Sequence, residues 1–86
     1  MKWRLIWHPR AAATVDDLAR RNPALAQRIR QRIATFAATG QGDTRKLEGR
    51  SGQWRLRVGT WRVIFAFDPP GSITVLSVSD RRDAYR

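Results

Sequence analysis

The residues best suited to chemistry are arginines at alternate positions in the second half of the chain. Arg55 and Arg57 are separated by one apolar residue, and Arg62 follows the short connection of Gly59 and Thr60. Alternate residues of a strand share one face of a sheet, and a two-residue turn with glycine first is typical of a hairpin. We therefore predict that Arg57 faces Arg62 across a hairpin. Such like-charged pairs destabilise a sheet and this hairpin has no acidic residue, so the pattern favours a bound anion.

The end of the chain adds further cations. If Leu76 and Val78 point into the core, the alternation of a strand puts Arg81 on the same face as Arg62 and turns Arg82 away. The open-face residues expected from this last strand are Ser77, Ser79 and Arg81. The alternative is that the two late arginines simply pair with neighbouring aspartates, as exposed ion pairs commonly do.

Other candidate groups favour structural roles. The chain has no cysteine and one histidine, His8, so we expect no disulfide, no metal site and no cofactor. His8 precedes a proline and has no acidic neighbour close in sequence, which favours a role in a turn over one as a general base. The tryptophans could stack on bases, but we expect most of them in the core of so small a domain. They are Trp3, Trp7, Trp54 and Trp61.

The overall charge indicates a polyanionic partner. Lysine and arginine total 17 against 7 acidic residues, which gives a net charge of +10. Almost all of these cations are arginines, whose planar guanidinium suits phosphates and bases, so nucleic acid is favoured over a membrane surface. No apolar run approaches the roughly 18 residues that a membrane-spanning helix needs, and the N-terminus is too short and charged for a signal peptide. We expect a cytoplasmic protein.

The elements that position these residues can be predicted from periodicity. Residues 2–7 alternate as a strand, 10–21 form an amphipathic helix, and Asn22 with Pro23 begins a second helix that ends near residues 40–42. Three strands follow, at 53–58, 61–67 and 73–80, and residues 40–45 are expected to be the most flexible internal loop. We predict one α+β domain over residues 1–86. Its order of strand, helix, helix and three strands indicates a single antiparallel sheet with a helix hairpin on one face.

Three runs of residues carry a resemblance to a known family. They are KLEG at 46–49, WRLRVGTWRVIF at 54–65 and VLSVSDRRDAYR at 75–86. In this order and spacing they resemble the RelE branch of the RelE/ParE toxin superfamily, and the likeness covers nearly the whole chain. The resemblance implies a RelE-like fold and a toxin of a type II toxin-antitoxin system. It also implies metal-independent cleavage of messenger RNA on the ribosome, by attack of a ribose 2′-hydroxyl on the adjacent phosphate.

The resemblance also assigns roles to individual residues. The catalytic positions that it implies are Arg55, Arg57, Arg62, Arg81 and Tyr85. Further contacts to RNA are expected from Arg45, Lys46, Arg50, Arg82 and Arg86. The expected protein partner is a cognate antitoxin, a small protein whose acidic or apolar helical segment covers the arginines or displaces the C-terminal residues. The two proteins are expected to form a toxin-antitoxin hetero-oligomer.

The sequence departs from the family at one point. Some members have lysines at the positions of Arg55 and Arg57, and a lysine can lose its proton and act as a base. A guanidinium stays protonated, so Tyr85 becomes the candidate for the base, since neighbouring positive charges favour its phenolate. Two alternatives stay open. One is a ParE-like inhibitor of DNA gyrase with no nuclease activity, and the other is a nucleic-acid-binding module without catalysis.

Overall fold

The helices begin and end at residues with specific capping properties. The computed structural model describes residues 2–49 and 51–80. Helix α1 spans Pro9–Arg21 and α2 spans Pro23–Thr39. His8 caps α1, because its Nδ1 accepts a hydrogen bond of 3.1 Å from the backbone N–H of Arg10, and Asn22 caps α2 in the same way through Leu25. His8 thus has a structural role in the turn that begins α1, as predicted. The predicted start of the second helix at Asn22 is also confirmed.

The sheet contains one strand more than the sequence indicated. Its strands are β1 (Arg4–Trp7), β2 (Thr44–Lys46), β3 (Gln53–Val58), β4 (Trp61–Asp68) and β5 (Ser72–Asp80), in the spatial order β1-β5-β4-β3-β2. The predicted loop at residues 40–45 therefore ends inside a strand. The α+β class with a helix hairpin and the three-strand meander of β3, β4 and β5 are confirmed.

The prediction of an all-antiparallel sheet is wrong at one edge. Strands β2 to β5 pair in antiparallel fashion, but β1 pairs with β5 in parallel. The reason is the additional strand. Each antiparallel connection reverses the chain, so inserting β2 before the meander inverts the direction of β5 relative to β1.

The core lies between the helices and one face of the sheet. Its fully buried side chains come from both layers, for example Val15, Ile29 and Ile33 from the helices and Leu56, Val63, Phe65 and Val75 from the strands. The two helices are also joined by an ion pair of 2.6 Å between Asp16 and Arg30. No helix of the described residues is long and apolar enough to cross a membrane. The helices cover one face of the sheet, and no helix of the described residues covers the other, which we call the open face.

The tryptophans pack at the margin of this core. All of them are partly buried hydrophobic side chains in contact with the core cluster. Trp3 stacks on Phe36 with ring centroids 5.3 Å apart, and Trp54 meets Phe67 edge-on at 5.7 Å. The tryptophans therefore pack against the core, as expected, but they are only partly buried.

A β-bulge changes one predicted orientation. Ile64 pairs with Ser77 whereas Phe65 pairs with Val75, so Leu76 has no partner in β4. A bulge places two residues opposite one and resets the alternation of the strand. Val75 and Val78 therefore face the core, and Leu76 is only half-buried, contrary to the prediction that it is a core residue.

Candidate functional site

Three neighbouring strands bring arginines together on the open face of the sheet. Arg57 pairs with Arg62, as the two-residue turn predicted, and Arg55 pairs with Ile64. Strand β2 adds Arg45, which pairs with Arg55 from the other side. We call these residues the arginine face, and its members are Arg45, Arg55, Arg57 and Arg62. The register thus places like charges opposite each other twice, which concentrates positive charge on one surface.

Two members of the arginine face have unsatisfied hydrogen-bond donors. The Nε atoms of Arg55 and Arg62 are buried, and neither has a hydrogen-bond partner among the described residues. Buried donors without acceptors are rare in folded proteins because each costs about 1–3 kcal/mol, more when charged. An anion on this face would offset part of that cost by drawing both guanidiniums into new hydrogen bonds.

Arg57 differs from its neighbours because it has an acidic partner. Its Nε lies 3.2 Å from Oδ2 of Asp43, and its backbone N–H donates to the carbonyl oxygen of Asp43. Both side chains are about half exposed, so the ion pair itself adds little stability. The paired residues of the β3–β4 hairpin include no acidic residue, and the acidic partner comes instead from Asp43, directly before β2.

Next to the arginine face is a concavity of about 350 Å³. Its lining consists of Leu47, Glu48, Arg62, Ile64, Ser77 and Ser79. Ser77 and Ser79 pair with Ile64 and Arg62, so their predicted place on the open face is confirmed. Leu47 and Glu48, in the segment after β2, line the same concavity from the β2 side of the sheet. One carboxylate, one guanidinium and two hydroxyls therefore surround a space of the size that small-ligand sites have.

Comparison with known proteins identifies the family. Residues 5–85 match the family described as the ParE toxin of the type II toxin-antitoxin system, parDE. The chain belongs to the RelE/ParE superfamily. This toxin matches no curated protein at a significant level.

Several solved structures have the same fold. RelE from the archaeal RelE-RelB complex of Pyrococcus horikoshii OT3 has 23% identity and a TM-score of 0.75, with 94% of this chain and 97% of that chain covered. The YoeB/ParE toxin from Agrobacterium tumefaciens has 17% identity and a TM-score of 0.75, covering 90% and 96%. The YoeB dimer from Staphylococcus aureus has 16% identity and a TM-score of 0.72, covering 90% and 94%. The toxin shares its fold with these proteins.

The predicted site residues of the toxin fall into three groups. The described arginines at 45, 55, 57 and 62 lie together on the arginine face. Lys46 pairs with Trp54 and so belongs to the opposite, helix-covered side of the sheet. The remaining predicted site residues lie outside the described residues, and they are Arg50, Arg81, Arg82, Tyr85 and Arg86.

Two residues of the site were not predicted to act in it. Asp43 contacts Arg57, and Glu48 lines the concavity with Arg62. Glu48 belongs to the KLEG run that carries part of the family resemblance, which was the one available signal. Across the described residues, no three His, Cys, Asp or Glu side chains converge as metal ligands would. The described site consists of guanidiniums, hydroxyls and carboxylates, which can bind a phosphodiester and transfer a proton.

Proposed function

We propose that this toxin is an endoribonuclease that cleaves messenger RNA on the ribosome. The observation that supports the proposal is the arrangement of Arg62, which belongs to a surface of paired arginines and also lines a concavity with Glu48 and two serines. A surface that only binds nucleic acid needs the arginines. The concavity adds groups that can exchange a proton with a bound nucleotide.

The reaction proposed is attack of a ribose 2′-hydroxyl on the adjacent phosphate. The attack places additional negative charge on the phosphate oxygens, and guanidiniums held by a sheet are already oriented toward it. One preorganised donor of this kind contributes about 3–4 kcal/mol to lowering such a barrier. Arg62, Arg55 and Arg57 have this role, together with Arg81, and Tyr85 acts in proton transfer, as the family resemblance implies.

A cognate antitoxin is the proposed protein partner. The related structures include the RelE-RelB complexes of Pyrococcus horikoshii and Methanococcus jannaschii and a heterotetrameric YoeB-YefM complex from Staphylococcus aureus. An acidic or apolar helical segment of the antitoxin would cover the arginine face and exclude RNA from it, in a hetero-oligomer of toxin and antitoxin. We propose a cytoplasmic location, because the toxin would meet both the antitoxin and the ribosome there.

Inhibition of DNA gyrase is the second candidate function. The observation that favours it is the matched family, which is described as the ParE toxin of the parDE system. In this case the arginine face would bind its target without chemistry. The concavity beside Arg62 favours the nuclease, because an inhibitor without chemistry has no need of a carboxylate there.

The deciding experiment is a cleavage assay in a bacterial translation extract. The toxin, purified from its complex with the antitoxin, should cut ribosome-bound messenger RNA in the presence of EDTA and leave 2′,3′-cyclic phosphate ends. Supercoiling by DNA gyrase should be unaffected. Inhibited supercoiling with intact RNA would favour the gyrase alternative. RNA binding without cleavage, even when ribosomes are present, would indicate a nucleic-acid-binding module without catalysis.

A further inference from the structure

Two carboxylates approach the arginine side of the sheet, and their surroundings differ. Asp43 is bound to Nε of Arg57 at 3.2 Å. Glu48 lies in the exposed segment after β2, lines the concavity beside Arg62, and forms no ion pair or hydrogen bond with the described residues. A carboxylate without a partner keeps all its lone pairs available to a ligand.

Cleavage through a 2′-hydroxyl requires a proton acceptor at that oxygen. The guanidiniums of the arginine face stay protonated and can only donate. His8 caps α1 through Nδ1 and lies outside the concavity. Among the described residues, the remaining candidates for the acceptor are therefore carboxylates. Tyr85, outside the described residues, is the other candidate.

The other described carboxylates are engaged elsewhere. Asp16 is paired with Arg30, and Asp17 with arginines of its own helix. Asp68 accepts a hydrogen bond from Thr74, and Asp80 is buried and has an interaction of its own. Glu48 is thus the carboxylate that combines a free acceptor with a position beside Arg62.

We infer that Glu48 is the general base of the proposed reaction, an assignment that rests on the proposed function. The Glu48 carboxylate takes the proton of the 2′-hydroxyl as the bond from O2′ to phosphorus forms. The bond from phosphorus to O5′ breaks, and O5′ takes a proton from the Tyr85 hydroxyl. Proton exchange with water then restores both side chains. Arg62 offsets the charge on the non-bridging oxygens, and Tyr85 is the acid.

The variant Glu48→Gln tests this assignment because it keeps the size of the side chain and removes its basicity. Glu48 is exposed, so the variant should fold with unchanged thermal stability. In single-turnover cleavage of ribosome-bound messenger RNA, we expect a rate about 100-fold lower with binding within a factor of two. Asp17→Asn is the matched control, since Asp17 is an exposed carboxylate on α1, and it should cleave at the wild-type rate.

A substrate with sulfur in place of the bridging 5′-oxygen separates the base from the acid. A thiolate leaves without protonation, so the defect of Tyr85→Phe should shrink on this substrate while the defect of Glu48→Gln persists. Formate added to Glu48→Ala should restore part of the rate, because it can enter the vacated space and accept the proton.

The outcomes separate this inference from the function on which it rests. If the wild-type toxin leaves RNA intact, the proposed function fails first. If the wild type and Glu48→Gln cut RNA equally fast, the assignment of Glu48 as the base is wrong, but the proposed nuclease function is retained. A Glu48→Gln defect that disappears on the sulfur substrate, or that affects binding alone, would also overturn the role as base.

Discussion

Arg62 connects the charge of the arginine face with the chemistry of the concavity. It pairs with Arg57 on one side and Ser79 on the other, and its buried Nε has no partner among the described residues. Such a position costs stability in the free protein, because like charges face each other and a donor is unsatisfied. Residues that reduce stability in this way are common at functional sites.

The variant Arg62→Ala should therefore separate activity from stability. We expect the cleavage rate to fall by about 100-fold or more, because a preorganised cation is removed from the developing charge. Thermal unfolding should shift little or upward, since a like-charged pair is relieved. Arg32→Ala is the control, because Arg32 lies exposed on α2, and it should retain wild-type cleavage. A large loss of stability in Arg62→Ala with proportional loss of activity would assign Arg62 a structural role instead.

Tyr85 carries a prediction that depends on its hydroxyl. The variant Tyr85→Phe keeps the ring and removes the proton, so cleavage should slow by about 100-fold while RNA binding stays nearly intact. Cleavage time courses and binding isotherms on the same RNA measure the two effects. Unchanged cleavage would remove the tyrosine from the mechanism and leave proton transfer to other groups.

At the scale of elements, the β3–β4 turn sets the register of the arginine face. Gly59 has φ of +62°, and the non-glycine residues of the described chain all have negative φ. An alanine at this position would have its Cβ 3.8 Å from Nη1 of Arg28, an ordinary contact, so its cost comes from the backbone alone.

The variant Gly59→Ala should lower the free energy of unfolding by about 1–2 kcal/mol, the usual cost of the left-handed conformation for an L-residue. Chemical denaturation measures this change. Gly71→Ala is the matched control, since a Cβ there meets nothing within 4 Å and its φ lies outside the left-handed region. It should be neutral or slightly stabilising. Equal effects of the two variants would show that the turn is not constrained as described.

Strand β2 is the element on which the composition of the site depends most. It has three residues, yet it adds Arg45 to the arginine face and carries the chain from Asp43 toward Glu48. A strand of this length shows no convincing alternation and gains its stability from pairing with β3. The sequence accordingly indicated a loop here.

At the scale of the whole molecule, the charge of +10 is distributed over both the sheet and the helices. Arg10 and Arg32 are exposed on α1 and α2, whereas Arg57 and Arg62 belong to the open face. Binding to RNA through either surface releases counterions and weakens as salt increases. The change in this salt dependence when arginines are removed from one face therefore reports which face contacts the nucleic acid.

The double variant Arg57→Gln/Arg62→Gln should change this dependence. For single-stranded RNA the slope of log affinity against log salt concentration should become shallower by about 1.4, or roughly 0.7 for each lost phosphate contact. Fluorescence anisotropy over a salt series measures it. Arg10→Gln/Arg32→Gln removes the same charge from the helices and should leave the slope nearly unchanged. Equal changes in both double variants would contradict a specific role for the arginine face.

Local features of the sequence determined much of this fold and part of its site. Each helix begins with a capping residue followed by a proline, and Gly40 ends α2. Strict alternation, together with a two-residue turn, determined the pairing of Arg57 with Arg62. These features are decided between residues close in the chain, where backbone geometry leaves few choices. The core faces of β3 and β4 followed from the same alternation.

Only the tertiary structure decided the features that join distant segments. The pairing of β2 with β3 brought Asp43 to Arg57 and Arg45 to Arg55. The additional strand also makes β1 parallel to β5. The bulge at Leu76 and the approach of Glu48 to Arg62 likewise depend on how strands and loops pack. The physical reason is that the stability of a short strand or a loop position comes from its partners in space, which no local period of the sequence encodes.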